Sequence, residues 1–432
     1  MGFIENYSEL ALSKQRKIVL DLIEVALSSI QPKTVLDKNF VLENEELKIK
    51  DKVLNLKDYK RVFLVGFGKG SGVISKIIET TLKDKLTKGF VIDTTKTVFS
   101  KIDFTLGTHP LPSKENLDFT KKTIEQLSPP AGEAGNLTIN DLVLVVICGG
   151  GSVMFEAPYN ISLEKLIEVN QALLHSGADI FEMNTVRKHL SKIKGGGFAK
   201  LLSPAKVFSL IFSDVPGNDL SFIASGPTVK DETTINDALT IYEKYNLGSL
   251  KLRKEDFTET PKEDVIFEKT DNILMLSNLT ALNAMKEKAE TQGIKTEIYS
   301  DKFQSDAELA GIALIKKTSA HSILLAGGET TVKVMNKDGK GGRNQEVVLS
   351  SLYELDEDTV IAAFDSDGWD NSPVAGAIGD IKTLEKAKKL GLNPEEYLKE
   401  NNSLVFFRNL RDAIITDRLP SNVSDLIIIY RK

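Results

Sequence analysis

Lys69 and Arg343 each stand inside a glycine cluster, Gly66-Phe67-Gly68-Lys69-Gly70 and Gly341-Gly342-Arg343-Asn344-Gln345-Glu346. Glycine lets backbone N–H groups approach an anion closely, and a helix start adds positive partial charge. The first cluster follows the apolar run Val62-Phe63-Leu64-Val65, and the second opens a helical pattern over Gln345 to Leu355. A cation at such a place suits a phosphate or a carboxylate. Two of them lead to the expectation of opposing half-sites on one cleft. Alone, the first loop is equally a tight strand-to-helix turn with Lys69 in solvent. It matches neither a full dinucleotide fingerprint, because Ser71 stands at the third glycine, nor a Walker A loop.

A third glycine run, Cys148-Gly149-Gly150-Gly151-Ser152, closes the apolar segment Leu142–Ile147. It offers backbone donors at a strand's carboxyl end, where open α/β sheets bind ligands. Ser152 lacks the GxSxG surround of a hydrolase nucleophile. Asn184, Arg187, Lys188 and Ser191 share one helix face, followed by Lys192, Lys194 and Gly195-Gly196-Gly197. That face is either a ligand-binding surface or a solvated one. Asp214 in Ser213-Asp214-Val215 follows the apolar run Val207–Phe212 and suits Mg²⁺ or a hydroxyl proton, with a turn or helix cap as the alternative. Asp365-Ser366-Asp367-Gly368-Trp369-Asp370 also follows a strand. Three carboxylates in six residues need cations or protons nearby, and the glycine position excludes an EF-hand. His109-Pro110-Leu111-Pro112 reads as a rigid extended turn whose histidine is structural, with a ligand contact as the alternative.

The elements that must position these residues alternate. Strands are expected at Arg61–Val65, Gly89–Ile92, Leu142–Ile147 and Val207–Phe212, with helices such as Leu163–His175 and Asn184–Lys192 between them. Near-continuous apolar strands separated by helices predict a parallel sheet covered on both faces. The charged stretch from Lys230 to Lys269 reads as a connector. A second series follows, with strands at Ile273–Leu276, Lys295–Tyr299, Ser322–Leu325, Thr331–Met335, Thr359–Ala363 and Asp425–Ile429, and helices at Ala281–Gln292 and Ala307–Lys317. The amphipathic Leu10–Ser28 segment is expected to pack on the first domain. The expected organisation is a domain over 1–235, a connector over 236–270 and a second domain over 271–432.

Composition narrows the function classes. There are 55 basic and 61 acidic residues, a net charge of −6, which argues against general nucleic-acid binding. Cys148 is the only cysteine, so no intrachain disulfide forms, as in a reducing cytosol. The longest clean apolar run, Leu142 to Cys148, falls short of the roughly 20 residues a membrane helix needs. The opening Met1-Gly2-Phe3-Ile4-Glu5-Asn6 lacks the regions of a signal peptide, so a cytoplasmic location is expected. The four histidines show no metal-ligand spacing.

Several motifs occur together in one order: Val65-Gly66-Phe67-Gly68-Lys69, Thr108-His109-Pro110-Leu111-Pro112, Gly149-Gly150-Gly151-Ser152, the run from Asn184 to Lys192, Ser213-Asp214-Val215, Ser225-Gly226-Pro227-Thr228, Gly327-Gly328-Glu329-Thr330-Thr331-Val332 and the run from Gly341 to Glu346. This ordered set resembles the glycerate 2-kinase family, whose C-terminal part is called the MOFRL domain, over about Lys60 to Asp425. The resemblance implies ATP-dependent phosphorylation of D-glycerate to 2-phosphoglycerate with Mg²⁺. It implies two α/β domains, the larger Rossmann-like and the smaller MOFRL-like, with the active site in the cleft between them. The family's important lysine falls on Lys69 and its important arginine on Arg343.

On that basis Lys69, Arg343, Asp214 and Asp367 are the catalytic candidates. Lys69, Arg343, Asn184, Arg187 and Ser225 are the substrate-binding candidates. Gly68, Gly149, Gly150, Gly151, Ser152, Lys192, Glu329 and Asn344 are assigned to the nucleotide, and Asp214, Asp365 and Asp367 to the metal. The partners expected are small molecules, with no nucleic acid and no membrane, and a homodimer is one expected assembly. The chain departs from the family at Asp417-Arg418-Leu419-Pro420-Ser421-Asn422-Val423, where the family has GPTGTN and Val. Two alternatives stand. An NAD(P)-dependent hydroxypyruvate reductase needs an acid after the first loop to hold ribose, and Asp93 is placed for that role. A sugar-acid or nucleotide sensor needs no clustered carboxylates.

Overall fold

The computed structural model of the protein describes residues 2–128 and 136–432. Six strands form the first sheet: β1 (Arg61–Phe67), β2 (Lys88–Asp93), β3 (Ile102–Leu106), β4 (Asp141–Ile147), β5 (Lys206–Phe212) and β6 (Thr270–Leu276). Their order is β3-β2-β1-β4-β5-β6, and β1 to β5 pair in parallel. Every residue of β4 is buried, as are all of β1 and β5 after their first residue. The apolar runs are continuous because helices cover both faces. The strand order reverses between β1 and β4, and in an open α/β sheet ligands bind at that switch point. The two N-terminal glycine loops leave those two strands.

Three features of this unit differ from the sequence expectation. A three-stranded antiparallel meander, Phe40–Glu43, Glu46–Ile49 and Lys52–Asn55, precedes β1. The stretch expected as a connector is instead integral to the unit. Ala238, Ile241 and Tyr242 of the Ile235–Lys244 helix, with Leu247, Leu250 and Phe257, pack against Val169, Leu173, Val186 and Leu190. Its surface charge hides an apolar stripe at helical spacing. The segment expected to begin the second series, Ile273–Leu276, is the end of β6 at the edge of the first sheet. This unit comprises Val35–Ser213 and Asn218–Met275.

The second sheet contains β7 (Lys295–Phe303), β8 (Ser322–Gly328), β9 (Thr359–Asp365), β10 (Gly376–Gly379), β11 (Ala413–Ile414) and β12 (Asp425–Arg431), in the order β7-β8-β12-β9-β10-β11. Only β7 and β8 pair in parallel. The late strand β12 is therefore central, flanked antiparallel by β8 and β9. The expected Thr331–Met335 strand is a loop. One side chain holds it in place of a ladder: Asn401 Oδ1 accepts from Met335 N at 2.6 Å and Asn336 N at 3.1 Å, and Asn401 Nδ2 donates to the Lys333 carbonyl at 3.1 Å.

The Lys14–Ser29 helix belongs with this second sheet and packs against the Asn278–Thr291 helix, contrary to the expectation from sequence. Arg16 is 1% exposed and explains the placement. Its Nε and Nη2 donate to Asp380 at 2.7 and 3.0 Å, Nη1 to Asp412 at 2.7 Å and Nη2 also to Thr383 at 2.6 Å. A guanidinium that gives up water needs such a full set of acceptors. Among the described residues, no helix is long and apolar enough to cross a membrane.

Candidate active site

At the switch point of the first sheet, the loops after β1 and β4 are pressed together. Lys69 N donates to Gly149 O at 2.8 Å, and Cys148 N to Phe67 O at 3.0 Å. Gly68 has a φ of 102°, and a Cβ there would lie 2.4 Å from the Cys148 carbonyl oxygen. Gly150 has a φ of 75°, and a Cβ there would lie 2.9 Å from the His109 ring and 3.5 Å from Lys69 Cε. The Lys69 stem and His109 thus converge over Gly150. The Lys69 side chain is exposed, and its ammonium makes no hydrogen bond or ion pair among the described residues. Nor do the backbone N–H groups of Gly149, Gly150 and Ser152 find acceptors among them. Burial and the Lys69 charge pull the His109 imidazole below its ordinary range, so Lys69 is the charged group of the pair at neutral pH. One cation beside three unsatisfied donors makes an anion site. Gly150→Ala forces an alanine into left-handed backbone, costing about 1–2 kcal/mol, and pushes the His109 ring off the loop. Pyrophosphate affinity measured by calorimetry should fall about tenfold or more.

The helix start after this loop is not the anion site. Gly70 caps the Ser71–Leu82 helix and supplies no side-chain acceptor. Asp93, 1% exposed, takes that role, accepting from Gly72 N at 2.8 Å and from Thr95 N at 3.3 Å. Burial raises its pKa while these donors restrain the rise. The acid on which the reductase alternative depends is therefore spent on the fold and closed to a ribose.

The basic helix face forms a buried network. Helix Ile180–His189 places Asn184 so that its Oδ1 accepts from Ser225 Oγ at 2.8 Å, and Arg187 Nε donates to Asn170 Oδ1 at 2.7 Å. Ser225 and its neighbour Ala224 hold φ values of 60° and 51°, a strained pair for residues with a Cβ. Lys188 pairs with Asp231 at 3.0 Å. Lys194, 2% exposed, pairs with Glu156 and donates to the Ser152 carbonyl at 2.8 Å. Ser191 Oγ donates to the same Glu156 at 2.6 Å. Lys194 and Glu156, absent from the sequence-derived candidates, thus tie down the far end of the glycine loop. Lys192 is exposed, and burial lowers the pKa of the Arg187 guanidinium.

In the second unit, helix Arg343–Ser351 also starts at a glycine, Gly342, without a capping side chain of its own. Asp370 fills this start, accepting from Asn344 N at 3.1 Å and Gln345 N at 2.9 Å. A Cβ on Gly342 would fall 2.0 Å from the Asp370 carbonyl oxygen. The glycine therefore admits Asp370, and the expected helix-start anion site is closed here as well. Asn344, assigned to the nucleotide from sequence, spends its amide on Asp370 and, at 2.7 Å, on Asp425.

Arg343 remains on the cavity wall. Its Nε meets Asp425 at 2.6 Å, Nη1 meets Glu329, and Nη2 lies 3.7 Å from Asp365. Asp365 and Asp425 face each other across the antiparallel β9–β12 ladder. Burial is the main cause raising both, Asp365 well above its ordinary range and Asp425 to about 7, and the Arg343 charge opposes the rise. One guanidinium nitrogen thus hydrogen-bonds Glu329 and another ion-pairs with Asp425, leaving N–H donors of its fork for a ligand. A cavity of about 540 Å³ opens here, lined by Arg343, Glu346, Thr330, Asp365, Asp370 and Trp369 among others.

Asp367 Oδ1 accepts from Trp369 N at 2.9 Å, and the Asp214 carbonyl accepts from Ser424 Oγ at 2.6 Å. The divergent 417–423 loop packs on the acidic turn. Leu419 N donates to Asp367 O at 2.8 Å, Val423 N to Ser366 Oγ at 2.8 Å, and the Arg418 guanidinium stacks 4.2 Å from the Trp369 ring centre. Asp425, Glu346 and Thr330 also stand here, with no role in the sequence expectation. The signal for Asp370 was present: a helix that starts at glycine needs an acceptor from elsewhere.

Comparisons with known proteins agree over nearly the whole chain. A family described as a domain of unknown function (DUF4147) matches residues 18–255, and the MOFRL family matches residues 322–425. A glycerate 2-kinase of Pyrococcus horikoshii is 33% identical over 96% of both chains. A D-glycerate 2-kinase of Thermotoga maritima is 37% identical over 85% of this chain and 90% of its own. The crystal structure of a glycerate kinase from Thermotoga maritima superposes with a TM-score of 0.84 at 31% identity, covering 96% of this chain and 99% of that one.

Proposed function

The chain belongs to the glycerate 2-kinase family, and from that premise we propose that it transfers the γ-phosphoryl group of ATP to the 2-hydroxyl of D-glycerate, releasing ADP. One observation carries the assignment of the site: an exposed Lys69 ammonium without a partner among the described residues, over a glycine loop where the Gly149, Gly150 and Ser152 amides find no acceptor among them, at the switch point of a parallel sheet. Phosphoryl transfer needs positioning and charge neutralisation rather than covalent chemistry by the protein.

Gly149, Gly150 and Ser152 N–H groups hold nucleotide phosphates, with Lys69 as a point charge on the transferring group. Lys194 and Glu156 keep the loop rigid beneath them. Arg343 takes the glycerate carboxylate, for which a guanidinium fork is suited. The exposed Glu329 is the acid such a ligand displaces from it. The hydroxyl oxygen bonds to the γ-phosphorus as the bond to the β-phosphate bridge breaks.

Mg²⁺ uses one or two carboxylates with waters and phosphate oxygens, so it needs no all-protein cage. Among the described residues no three acids, cysteines or histidines form one. The half-buried strand-end acids Asp214 and Asp367 fit that role, and Asp367 keeps one oxygen without a hydrogen bond. When bound, the ion neutralises phosphate charge. Asp365 faces Arg343 instead. A cytoplasmic setting, where ATP is supplied, is part of this reading.

The test is a coupled ADP assay over a panel of small hydroxy acids, with phosphorus NMR of the product. D-glycerate should release ADP and carry phosphate on O2. No ADP from any hydroxy acid would overturn the kinase reading, and 3-phosphoglycerate as main product would overturn the regiochemistry. NADH oxidation by hydroxypyruvate would favour the reductase.

A further inference from the structure

The cavity beside Arg343 contains a carboxylate with no assigned role. Glu346 lies one helical turn after Arg343 on the same helix, lines the same cavity and is 3% exposed. The other acids around it are committed. Asp370 caps the helix, Asp425 holds Arg343 and Asn344, and Glu329 pairs with Arg343. Asp365 faces Arg343 and accepts from Asp367 N at 3.0 Å. Glu346 forms no ion pair among the described residues, and Asn401 alone offers it an amide. A second group marks the cavity as a ligand site. Thr330 is 4% exposed and lines it, and its hydroxyl has no hydrogen-bond partner among the described residues. A buried hydroxyl left unsatisfied costs free energy that a bound ligand recovers.

Resting on the kinase reading above, we propose that Glu346 is the general base that takes the proton of the glycerate 2-hydroxyl, with Thr330 hydrogen-bonded to the same hydroxy acid. The hydroxyl O–H bond breaks toward the Glu346 carboxylate as the new O–P bond forms, and the bridging oxygen leaves with ADP. Arg343 fixes the substrate carboxylate one turn away, which leaves the adjacent hydroxyl within this cavity. The electrostatics suit the task. Burial pushes Glu346 up to about 7, the Asn401 amide opposes the rise, and Glu308, Asp306 and Asp370 add to it. The cations on the cavity wall are Arg343 and Lys337. A base poised near working pH combines availability with proton affinity.

The experiment compares wild type, Glu346→Gln and Glu346→Asp for kcat against pH. D-glycerate binding is followed by the fluorescence of Trp369, the only tryptophan and a cavity residue. Wild-type kcat should rise with pH through an ionisation near 7. Glu346→Gln should lose that limb and roughly 10²-fold or more in kcat while still quenching Trp369 with glycerate. Glu346→Asp should keep the limb at reduced rate. The folded Glu346 holds its proton above the unfolded value, so wild-type stability falls as pH rises from about 4.5 to about 7. Glu346→Gln removes that loss and should melt at or above wild type at pH 8. Glu346→Gln that keeps the limb, stays within about threefold of wild type in rate, stops binding glycerate, or melts lower at pH 8 overturns the proposal, as does Glu346→Asp that loses the limb. Wild type that forms no ADP overturns the kinase reading, and this assignment with it.

Discussion

Lys69→Ala should lose roughly 10²-fold or more in kcat/KM for phosphoryl transfer while its melting temperature stays at the wild-type value. The two halves of this expectation have separate causes. The ammonium is exposed and unpaired among the described residues, so its removal breaks no hydrogen bond or ion pair among them. Yet it sits beside three amides that also lack acceptors, where a bound phosphate would concentrate all their interaction. Arg343→Ala should lose activity to a similar degree but also stability, because Arg343 opposes the charge of buried Asp425 and Asp365. Asp425 titrates at about 7 with Arg343 in place, and without it rises further, so the stability loss should be largest above neutral pH and shrink below it. Arg343→Lys should rescue poorly, since an ammonium cannot reproduce the fork. Steady-state kinetics and melting curves at two pH values check each part. Lys69→Ala with normal turnover would remove the lysine from the mechanism.

Arg16→Met should destabilise the unit built on the second sheet by about 3–5 kcal/mol, the cost of leaving buried carboxylates without their cation. Methionine keeps most of the stem volume, so the loss reads the charge network rather than a cavity. Burial pushes the Asp380 carboxyl up, but Arg16 more than offsets this and holds it below its ordinary range. A depressed carboxylate contributes stability above its unfolded pKa and loses it as pH falls through the folded value. The gap between wild type and variant should therefore be widest near neutrality and narrow in acid. Urea unfolding followed by Trp369, which lies in this unit, measures it. A gap under 1 kcal/mol at neutral pH would mean that Arg16 does not tie the helix down.

The parallel sheet was legible because its strands are buried on both faces, and a continuous run such as Leu142–Ile147 has few other uses. The two cation-bearing glycine clusters were legible for the same kind of reason, since glycine at those positions admits close approach. What approaches was not legible. Gly342 makes room for Asp370, and the Gly70 helix start receives Asp93, so acids that look available in sequence are consumed as caps. A carboxylate after a strand reads the same whether it holds a helix end, a ribose or a metal. Only the fold distinguishes them. The Asn184–Ser191 face failed in another way. Charged helix faces usually meet water, but Lys188 and Ser191 turn inward because Asp231 and Glu156 come from other elements to meet them. Glu346 carries no role in the sequence expectation because its motif draws attention to the arginine, and the groups that set its charge state, Glu308, Asp306 and Asn401, are distant in sequence.

The position of β12 at the centre of the second sheet has a consequence for synthesis on the ribosome. The residues from Val35 to Met275 that form the parallel-sheet unit emerge as nearly one stretch and can fold while translation continues. The Lys14–Ser29 helix emerges before them but belongs to a unit whose middle strand, Asp425–Arg431, is translated after them. It must wait, with its apolar face and Arg16 unpartnered, until that strand has followed. The helix is therefore open to chaperones and proteases in the nascent protein while the parallel-sheet unit is made, and β12 is the strand whose arrival releases it.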